Sequence, residues 1–490
     1  MIRSMNTQQV ITRFLFSLMG LLGLSLLASS AAGQVFDSGP SDPSLFDTVL
    51  NLPGDEPVIT GADLESIGGV PGQTTQLNVF DGGNVGFMFD ANSGSEVNIS
   101  GGLVGTFFDA NSGSEVNISG GTVGNFFGAN TGSVVNISGG SVGSVSGASG
   151  SSVVNISGGT VGLEFDATGS SEVNISGGSV GNFFDAFASA VVNISGGSVG
   201  SGFDVFDNTS VVVNISGGTV GNSFNALGGV VNISGGTVGD FFLSIDTNVV
   251  NISGGTVGDF FCSDSGSEVN ISGGEVGDLF DACSGSEVNI SGGSVGGFFE
   301  TRPGSEVNIS GGEVGGAFEA GGVVNISGGI VGNGFDALSG SEVNISGGSV
   351  GNLFDAFSGS VVNILGTEFF IDGVELDNLV LGQAFTINNR DVTLSGLLAD
   401  GEQFSFDLNS IDIIGIGQDF FAPDATLTVT LTVPVLLGDV NMDGVVDFFD
   451  IAPFIAVLSA QTFQAEADID GNGAVDFFDI QPFIDVLSGP

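Results

Sequence analysis

A seven-residue stretch, EVNISGG, first occurs whole at 96–102 and recurs with small variations to the end of the central region. The asparagine of its VNI core falls at positions 98, 117, 136, 155, 174, 193, 214, 232, 251, 270, 289, 308, 325, 344 and 363. Eleven of the fourteen intervals between these positions are nineteen, and the other three are twenty-one, eighteen and seventeen. Because so short a unit buries its apolar face only against neighbouring copies, this repeat predicts a stack of coils.

Within each copy, apolar and polar residues alternate as they do in a β-strand. Val97 and Ile99 share one face and Asn98 lies on the other, since successive strand side chains point to opposite faces. Gly101 and Gly102 suit the positive φ of a tight bend. A phenylalanine follows ten residues after most of the asparagines, at 108, 127, 165, 184, 203, 224, 242, 261, 280, 299, 318, 335 and 354. Stacked columns of valine, isoleucine and phenylalanine would form a continuous apolar interior.

The fold class that follows is all-β, a parallel β-solenoid of about 16 coils over residues 76–365. A degenerate copy at 76–90 adds one coil to the fifteen VNI repeats. Stacked helices do not fit, because Gly-Gly pairs and β-branched residues favour turns and strands. The pattern resembles the secreted β-helices of bacterial adhesins and polysaccharide-active proteins. That resemblance implies this fold and leaves the activity open.

The net charge limits which classes of molecule can bind the chain. The chain carries 55 Asp plus Glu against four Lys plus Arg, a net charge of −51, which repels nucleic acid and anionic lipid and attracts cations. It contains no His, Trp or Tyr, and its four basic residues are all Arg. Imidazole bases, lysine nucleophiles and the indole and phenol rings expected in a sugar-stacking site are therefore absent from the sequence.

Two acidic columns are predicted on the outer face. Glutamates two residues before the asparagine occur, for example, at 96, 115, 268, 287 and 306. Aspartate or glutamate eleven residues after it occurs at 109, 166, 185, 204, 281, 300, 319, 336 and 355, and Asp90 of the degenerate copy extends this column. Because stacked like charges destabilise a sheet, two interpretations stand: calcium ions bound along the columns, or a solvated acidic face screened by salt.

The flanking segments have distinct compositions. Residues 1–33 have the anatomy of a secretory signal peptide. Its apolar run is shorter than the roughly 20 residues of a membrane span, so we expect a mature chain without a span, secreted or at the cell surface. Residues 34–75 are predicted to be an N-terminal cap on the solenoid. Residues 366–437, with clear alternation at 425–433, are predicted to be a small β-strand cap or sandwich.

The two cysteines fall in neighbouring coils. Cys262 lies eleven residues after its asparagine and Cys283 thirteen after the next one. In an ideal stack this offset separates their Cα atoms by about 8 Å, beyond the usual disulfide range, although export permits oxidation. A disulfide and two free thiols are both open at this point.

The C-terminal domain, residues 438–490, contains two segments that match a twelve-residue calcium loop of the EF-hand type, one starting at Asp439 and the other at Asp468. Oxygen ligands at alternate positions wrap a hard cation, and a glycine at the sixth position lets the backbone turn around it. The predicted ligands are Asp439, Asn441, Asp443, the Val445 carbonyl, Asp447 and Asp450 in the first loop, and Asp468, Asp470, Asn472, the Ala474 carbonyl, Asp476 and Asp479 in the second. Two matches in register predict two bound calcium ions.

An amphipathic helix is predicted after each loop, with Ile451, Phe454, Ile455 and Leu458 on the apolar face of the first. Two loop–helix units without a preceding helix resemble the dockerin type I module, including Asp rather than the usual EF-hand Glu at the twelfth position. The resemblance implies folding coupled to calcium and docking onto a cohesin-like or cell-surface protein.

Four phenylalanines depart from that resemblance. Dockerins of cellulose-degrading complexes commonly carry small hydroxyl residues at loop positions 10 and 11, where this chain has Phe448 and Phe449, and Phe477 and Phe478. Calcium ligation does not use these positions. The partner is therefore open between a cohesin-like protein with a different surface and an intramolecular contact with the β-cap.

Two functions fit these features. The first is an exported, non-catalytic structural or adhesive rod attached through the calcium-dependent module. The second is a polysaccharide-degrading glycoside hydrolase, because dockerins often accompany such enzymes and acidic pairs are abundant. Near-uniform coils favour the first, since a catalytic cleft would interrupt the repeat, and irregular sequence is confined to 202–210 and 301–303. No catalytic residue is assigned, and polysaccharide is the candidate ligand of the rod.

Overall fold

The computed structural model describes residues 48–52, 66–67, 74–206, 210–411, 418–432, 437–441, 445–460, 464, 466–469 and 474–488. Its central region is a parallel β-solenoid of about 15 turns, which confirms the fold class predicted from the repeat. The predicted signal peptide lies outside the described residues. Among the described residues, no helix has both the length and the apolar character needed to cross a bilayer.

Each coil contributes one long strand, which contains the VNI core, to the first sheet. Neighbouring long strands pair in parallel with the asparagines aligned, as in Asn98 with Asn117. These strands are Thr48–Leu52, Thr75–Val79, Ser95–Val104, Glu115–Val123, Val134–Val142, Val153–Val161, Glu172–Val180, Val191–Val199, Val212–Val220, Val230–Val238, Val249–Val257, Glu268–Val276, Glu287–Val295, Glu306–Ile309, Val323–Val331, Glu342–Val350 and Val361–Ile371, with Asn84–Val85 and Glu313–Val314 as separate short pieces.

A short strand after each long one builds the second parallel sheet. These strands are Ser66–Ile67, Phe89–Ala91, Phe108–Ala110, Gly128–Ala129, Ser146–Ala148, Phe165–Ala167, Phe184–Ala186, Asp204–Val205, Asn225–Ala226, Leu243–Ser244, Cys262–Ser263, Asp281–Ala282, Glu300–Thr301, Phe318–Ala320, Phe335–Ala337, Phe354–Ala356 and Phe420–Phe421. Partners are again one coil apart, so side chains one repeat apart in sequence lie above one another.

The core runs along the axis of the stack. Val97, Ile99, Val104, Phe108 and Ala110 of one coil are all fully buried, and nearly all equivalent residues of the other described coils are buried with them. The core phenylalanines stack with ring centroids 4.6–5.3 Å apart along the column. The predicted apolar interior is therefore confirmed.

A bend at the Gly-Gly pair divides each long strand. The pairing register shifts there, between Ile99, Ser100 and Leu103 in the first full coil. The second glycine takes a left-handed conformation, with φ of 70° at Gly102. This conformation is energetically unfavourable for a residue with a Cβ atom but not for glycine. The bend turns the chain so that Val104 can also point into the core.

A second left-handed residue precedes the short strand in most coils and is usually not glycine. Phe107, Phe126 and Leu279 have φ of 60°, 61° and 63°. Their side chains point outward, and Phe298 at the same position is 60% exposed. The result is a discontinuous apolar ridge on the solenoid surface.

The asparagines form a hydrogen-bonded ladder on the outer face. Each Nδ2 donates to the Oδ1 of the asparagine one coil earlier, at 2.8–3.1 Å, from Asn98 to Asn363. The ladder begins on Asn78. At its other end, the hydroxyl of Thr428 donates to Asn363 Oδ1 at 2.7 Å.

The two ends of the solenoid carry additional strands. Thr48–Leu52 and Ser66–Ile67 pair in parallel with the first coils, so both sheets extend into the segment predicted as a cap. At the C-terminal end, Thr426–Leu431 pairs in parallel with Val361–Ile371. Four shorter strands lie between these two in the chain and pair in antiparallel fashion with them or with each other: Val374–Glu375, Ala384–Thr386, Thr393–Leu398 and Gln403–Asp407.

The C-terminal module contains two short helices, α1 at Ile451–Ala460 and α2 at Ile480–Ser488. A single 3-10 turn precedes each helix, at Phe448–Asp450 and Phe477–Asp479. Phe454 of α1 stacks on Phe483 of α2 with ring centroids 4.1 Å apart. These two phenylalanines occupy equivalent positions of the two loop–helix units, so the internal repeat packs against its own copy.

Candidate calcium loops and docking face

Each helix of the module starts at an aspartate pair that caps it. In the first unit, Phe449 N donates to Asp447 Oδ1 at 2.7 Å, and Asp447 N donates to Asp450 Oδ2 at 2.8 Å. This is a reciprocal capping box, which satisfies amide donors that the helix itself leaves unpaired. A short Asp completes it in place of the more common Glu.

The second unit repeats this geometry. Phe478 N donates to Asp476 Oδ1 at 2.7 Å, and Asp476 N donates to Asp479 Oδ2 at 2.8 Å. Since the two copies of the motif adopt the same arrangement at separate places in the chain, the geometry is a property of the motif.

The last aspartate of each loop also holds the loop's first half. Asn441 N donates to Asp450 Oδ1 at 2.9 Å, and Ile469 N donates to Asp479 Oδ1 at 2.7 Å. Both carboxylates are fully buried. Each therefore closes its loop by hydrogen bonds between its two ends, while a carboxylate oxygen has further lone pairs for another partner.

The donor set fits a hard cation. Asp439 and Asp468, at the first loop positions, are only 5% and 8% exposed. The sequence has no Lys or Arg after Arg390, so no basic side chain of the module can balance these buried charges. Buried carboxylates are stable when paired or metal-bound, and an all-oxygen set is the one that calcium prefers.

The predicted ligands are thus partly placed. The structure brings Asn441, Asp447 and Asp450 together in the first loop, with Asp439 buried at its start, and Asp476 and Asp479 together in the second, with Asp468 buried likewise. Val445 and Ala474, predicted to offer carbonyl oxygens, lie at exposed positions before the capping aspartates. Asp443, Asp470 and Asn472 lie outside the described residues.

Beside the loops lie four exposed aromatic rings. Phe448 and Phe449 are 76% and 69% exposed, and Phe477 and Phe478 are 77% and 69% exposed. Each pair meets edge to face, with ring centroids 6.2 Å and 6.3 Å apart. We call these four residues the phenylalanine face. Exposed aromatic clusters of this kind are typical of interaction surfaces.

The helices add to the exposed apolar surface. Ile455 is 55% exposed and Ile484 47% exposed, although the sequence pattern places Ile455 on the buried side of its helix. The module core is small, consisting of Val440, Phe454, Ala467, Val475 and Phe483 with partly buried neighbours. It accepts one phenylalanine from each helix and leaves Ile455 and Ile484 outside, while Ile451 and Ile480 pack against its edge.

The two cysteines are close but unbonded. Their Sγ atoms are 3.6 Å apart and both side chains are half-buried. Burial raises the pKa of each thiol above its usual value, and the neighbouring carboxylates add to the effect. The predicted disulfide stays a prediction.

Two charged residues lie near the cysteines: Asp281, which the sequence placed only in an acidic column, and Arg302, which the sequence did not connect with this pair. Asp281 lies one coil above Cys262 in the strand register, and Arg302 Nη2 lies 2.7 Å from Asp281 Oδ2. The repeat period carries this information, since Asp281 occupies the same repeat position as Cys262. Nineteen residues after Cys262 comes Asp281, and nineteen after Cys283 comes Arg302, so the repeat length identifies both neighbours.

An acidic groove of about 340 Å³ lies on the solenoid, with Asp259, Glu275, Asp278 and Glu313 in its lining. Two of these acids link coils. Asp278 N donates to Asp259 Oδ1 at 2.9 Å, and Gly297 N donates to Asp278 Oδ1 at 2.7 Å. These hydrogen bonds give the aspartates a structural role in the stack.

The C-terminal module matches a known family. Residues 437–487 match the family described as the Dockerin type I domain, which confirms the resemblance seen in the loops and helices. Dockerin type I domains are calcium-binding modules that bind cohesins. Searches of the curated proteins and of the solved structures both gave no match.

Proposed function

We propose that this chain is an exported, non-catalytic β-solenoid rod that is assembled onto a cohesin-like partner through its calcium-dependent C-terminal module. The observation that carries the proposal is the dockerin match over 437–487, together with two buried and capped aspartate loops in the same segment. Assembly through a dockerin domain follows from the match. The non-catalytic role, the ligands and the partner surface are the finer parts of the proposal.

Calcium organises the module in this proposal. Bound calcium supplies positive charge and a preference for six to eight oxygen ligands. Asp450 and Asp479 supply buried carboxylates already oriented by two backbone amides each. Without the cation, the buried negative charge opposes packing of α1 on α2, so calcium and helix formation are coupled.

The phenylalanine face makes the partner contact. Four exposed rings at equivalent positions of two repeats present two similar apolar patches. We expect the partner to offer apolar pockets rather than the polar groups that small hydroxyl residues would contact. Either loop–helix unit can then contact the same partner pocket, because the two patches are chemically alike.

The uniform coils support a non-catalytic rod. Side chains at equivalent positions repeat the same hydrogen bonds, and two of the four acids of the groove, Asp259 and Asp278, accept hydrogen bonds from the next coil. In an enzyme, a carboxylate pair would be free to face substrate. Polysaccharide is the proposed ligand of the rod surface.

Calcium dependence is tested on the full chain by hydrogen exchange with and without calcium. We expect calcium to protect the α1 and α2 peptides, and Asp450→Ala with Asp479→Ala to abolish that protection. Asp485→Ala is the matched control, because it removes one charge from an exposed position of α2 outside the loops. Equal protection with and without calcium would contradict the metal assignment.

Docking is tested by pulling down a panel of cohesin domains with the full chain, in calcium and in chelator. We expect capture only in calcium and its loss in the variant with all four phenylalanines of the face changed to Ser. Capture by that variant would move the interface elsewhere. Failure of every cohesin, together with protection of the four rings within the monomer, would support the intramolecular contact with the β-cap instead.

The non-catalytic role is tested on a panel of neutral and acidic glycans. We expect binding without cleavage. Hydrolysis that disappears on changing one acidic pair, such as Glu275→Gln with Glu313→Gln, would establish the enzyme alternative.

A further inference from the structure

Three metal-binding side chains converge on the outer face of the short-strand sheet. The Sγ atoms of Cys262 and Cys283 and a carboxylate oxygen of Asp281 all lie within 4.8 Å of one another. Cys262 and Asp281 are register partners in adjacent coils. Cys283 follows Asp281 by two residues, so it points to the same side of the sheet.

The sulfur separation agrees better with metal ligands than with a disulfide. The Sγ atoms are 3.6 Å apart. Two thiolates on one tetrahedral zinc ion lie about 3.8 Å apart, because each Zn–S bond is about 2.3 Å long. A disulfide bond is about 2.05 Å long, and in an ideal stack a pair displaced by one rung and two residues has its Cα atoms about 8 Å apart, beyond the usual disulfide range. In such a stack, bonding the sulfurs directly would require the two coils to move.

The surroundings are acidic apart from one arginine. Asp264 follows Cys262 by two residues, and Glu300 is the register partner of Asp281 in the next coil. The carboxylate of Asp281 is held by Arg302, whose Nε donates to Oδ1 at 2.9 Å and whose Nη2 donates to Oδ2 at 2.7 Å. Such a hydrogen-bonded partner typically orients a ligating carboxylate, and the carboxylate keeps lone pairs for a metal.

We propose that Cys262, Cys283 and Asp281 form a site for one thiophilic divalent cation, with zinc as the natural occupant and water as the fourth ligand. Binding deprotonates both thiols and releases two protons to solvent. Two thiolates select a softer metal than calcium, which prefers oxygen ligands alone. The site pins two adjacent coils and is independent of the C-terminal loops.

The experiment uses the full chain, reduced and free of oxygen, with excess calcium present to fill the all-oxygen sites. Cobalt(II) is the titrant and zinc the competitor. The chain has no Trp or Tyr, so thiolate-to-cobalt charge-transfer absorption in the near ultraviolet is little obscured. We expect that absorption to saturate at one cobalt per chain and to vanish when zinc is added.

Variants assign the ligands. Cys262→Ser and Cys283→Ser are each expected to abolish the absorption, and Asp281→Asn to weaken cobalt binding by about tenfold or more. Glu319→Gln is the matched control, since it removes an exposed acid from the same column two coils further on. It should leave the titration unchanged.

Alkylation of the unmutated chain gives a second measurement that does not depend on how the variants fold. Zinc is expected to slow the alkylation of both thiols, while calcium at the same concentration does not. The proposal is overturned if no charge-transfer band forms, if the band survives either cysteine variant, or if the two cysteines form a disulfide in air in the presence of zinc.

Discussion

At the scale of single residues, the asparagine side chain holds the repeat in register. One amide hydrogen of Asn270 is donated to Asn251 Oδ1 at 3.1 Å, and the same nitrogen donates to Glu268 Oε1 at 2.9 Å. The ladder and the glutamate column are therefore connected where both occur. A slip of one residue would break every such bond and turn the core valines outward, so the outer face and the core specify the same register.

Asn251→Ala tests the ladder in a coil that has Val249 rather than glutamate beside it. The substitution removes the bonds to Asn232 and from Asn270. We expect the free energy of unfolding to fall by about 1–2 kcal/mol, measured by chemical denaturation followed by circular dichroism. Ser253→Ala, at an exposed position of the same strand, is the control. Equal small effects of the two changes would mean that the ladder contributes little.

Gly274→Ala tests the bend of the long strand. Gly274 has φ of 81°, and an added Cβ would lie 2.8 Å from Gly254 C and from Gly255 O. Gly340 has φ of 85° with nothing within 4 Å of its Cβ position. We expect Gly340→Ala to cost about 1–2 kcal/mol from the backbone alone and Gly274→Ala about 3 kcal/mol or more. Thermal unfolding gives the measurement. A similar loss of stability in the two variants would show that neighbouring coils shift to accommodate the Cβ atom at Gly274.

Asp109→Asn tests the cost of charge in the second acidic column. Burial raises the pKa of Asp109 above its usual value, and the hydrogen bond from Asn130 opposes this only in part. The folded chain thus binds this proton more tightly than the unfolded chain. The stability linked to this proton is fully present below the unfolded pKa of 3.8 and is lost as pH rises through the folded pKa.

We therefore expect Asp109→Asn to stabilise the chain at pH 7 by about 0.5–1 kcal/mol, with the advantage vanishing near pH 3. Asn225 already occupies this column, so the amide is compatible with the stack. Unfolding at a series of pH values gives the measurement, and Glu319→Gln at an exposed position of the column is the control. A gain that is independent of pH would contradict the burial argument.

At the scale of elements, the two halves of the C-terminal module stabilise each other through one aromatic contact. Phe454 and Phe483 are each 3% exposed and stack at 4.1 Å. We expect Phe454→Ala to cost about 3–4 kcal/mol and to remove the protection of α1 in hydrogen exchange even in calcium. Ile455→Ala, on the exposed side of the same helix, should change little. Retained protection of α1 in Phe454→Ala would show that the loops alone hold the helices.

The elements differ in how far sequence predicts them. The long strand and the core column were predicted because period and alternation agree in every copy. The left-handed residue before the short strand was not predicted, because phenylalanine and valine, which occupy this position at Phe107 and Val145, rarely take a positive φ. Strand Thr48–Leu52 was missed because one short copy gives no period.

The candidate site shows the same limit. The aspartates of the calcium loops are predicted as ligands from spacing alone, because the ligand pattern is local in sequence. The exposure of Ile455 could not, since it depends on how small a core two short helices can build. The contact between Cys262 and Cys283 depends on rotamers across two coils, and position in the repeat brings the residues near without setting that distance.

At the scale of the whole molecule, the solenoid is a one-dimensional stack in which each coil contacts mainly its neighbours. Its stability is then approximately a sum of equal terms, and no single described coil is essential. The net charge of −51 limits side-by-side association of rods. Docking through one end is consistent with this surface.

Removal of residues 249–286, which make up two whole coils of the common repeat length, tests this additivity. The cut joins Asn248 to Glu287 and keeps the repeat register, so Asn232 comes to lie beneath Asn289. We expect a folded chain that is about 10 Å shorter, seen by small-angle scattering, with the same strand content per residue. Removal of 249–257 alone breaks the register within a coil and should unfold the neighbouring coils. If both deletions unfold the chain alike, the coils are not interchangeable and the rod depends on a particular central segment.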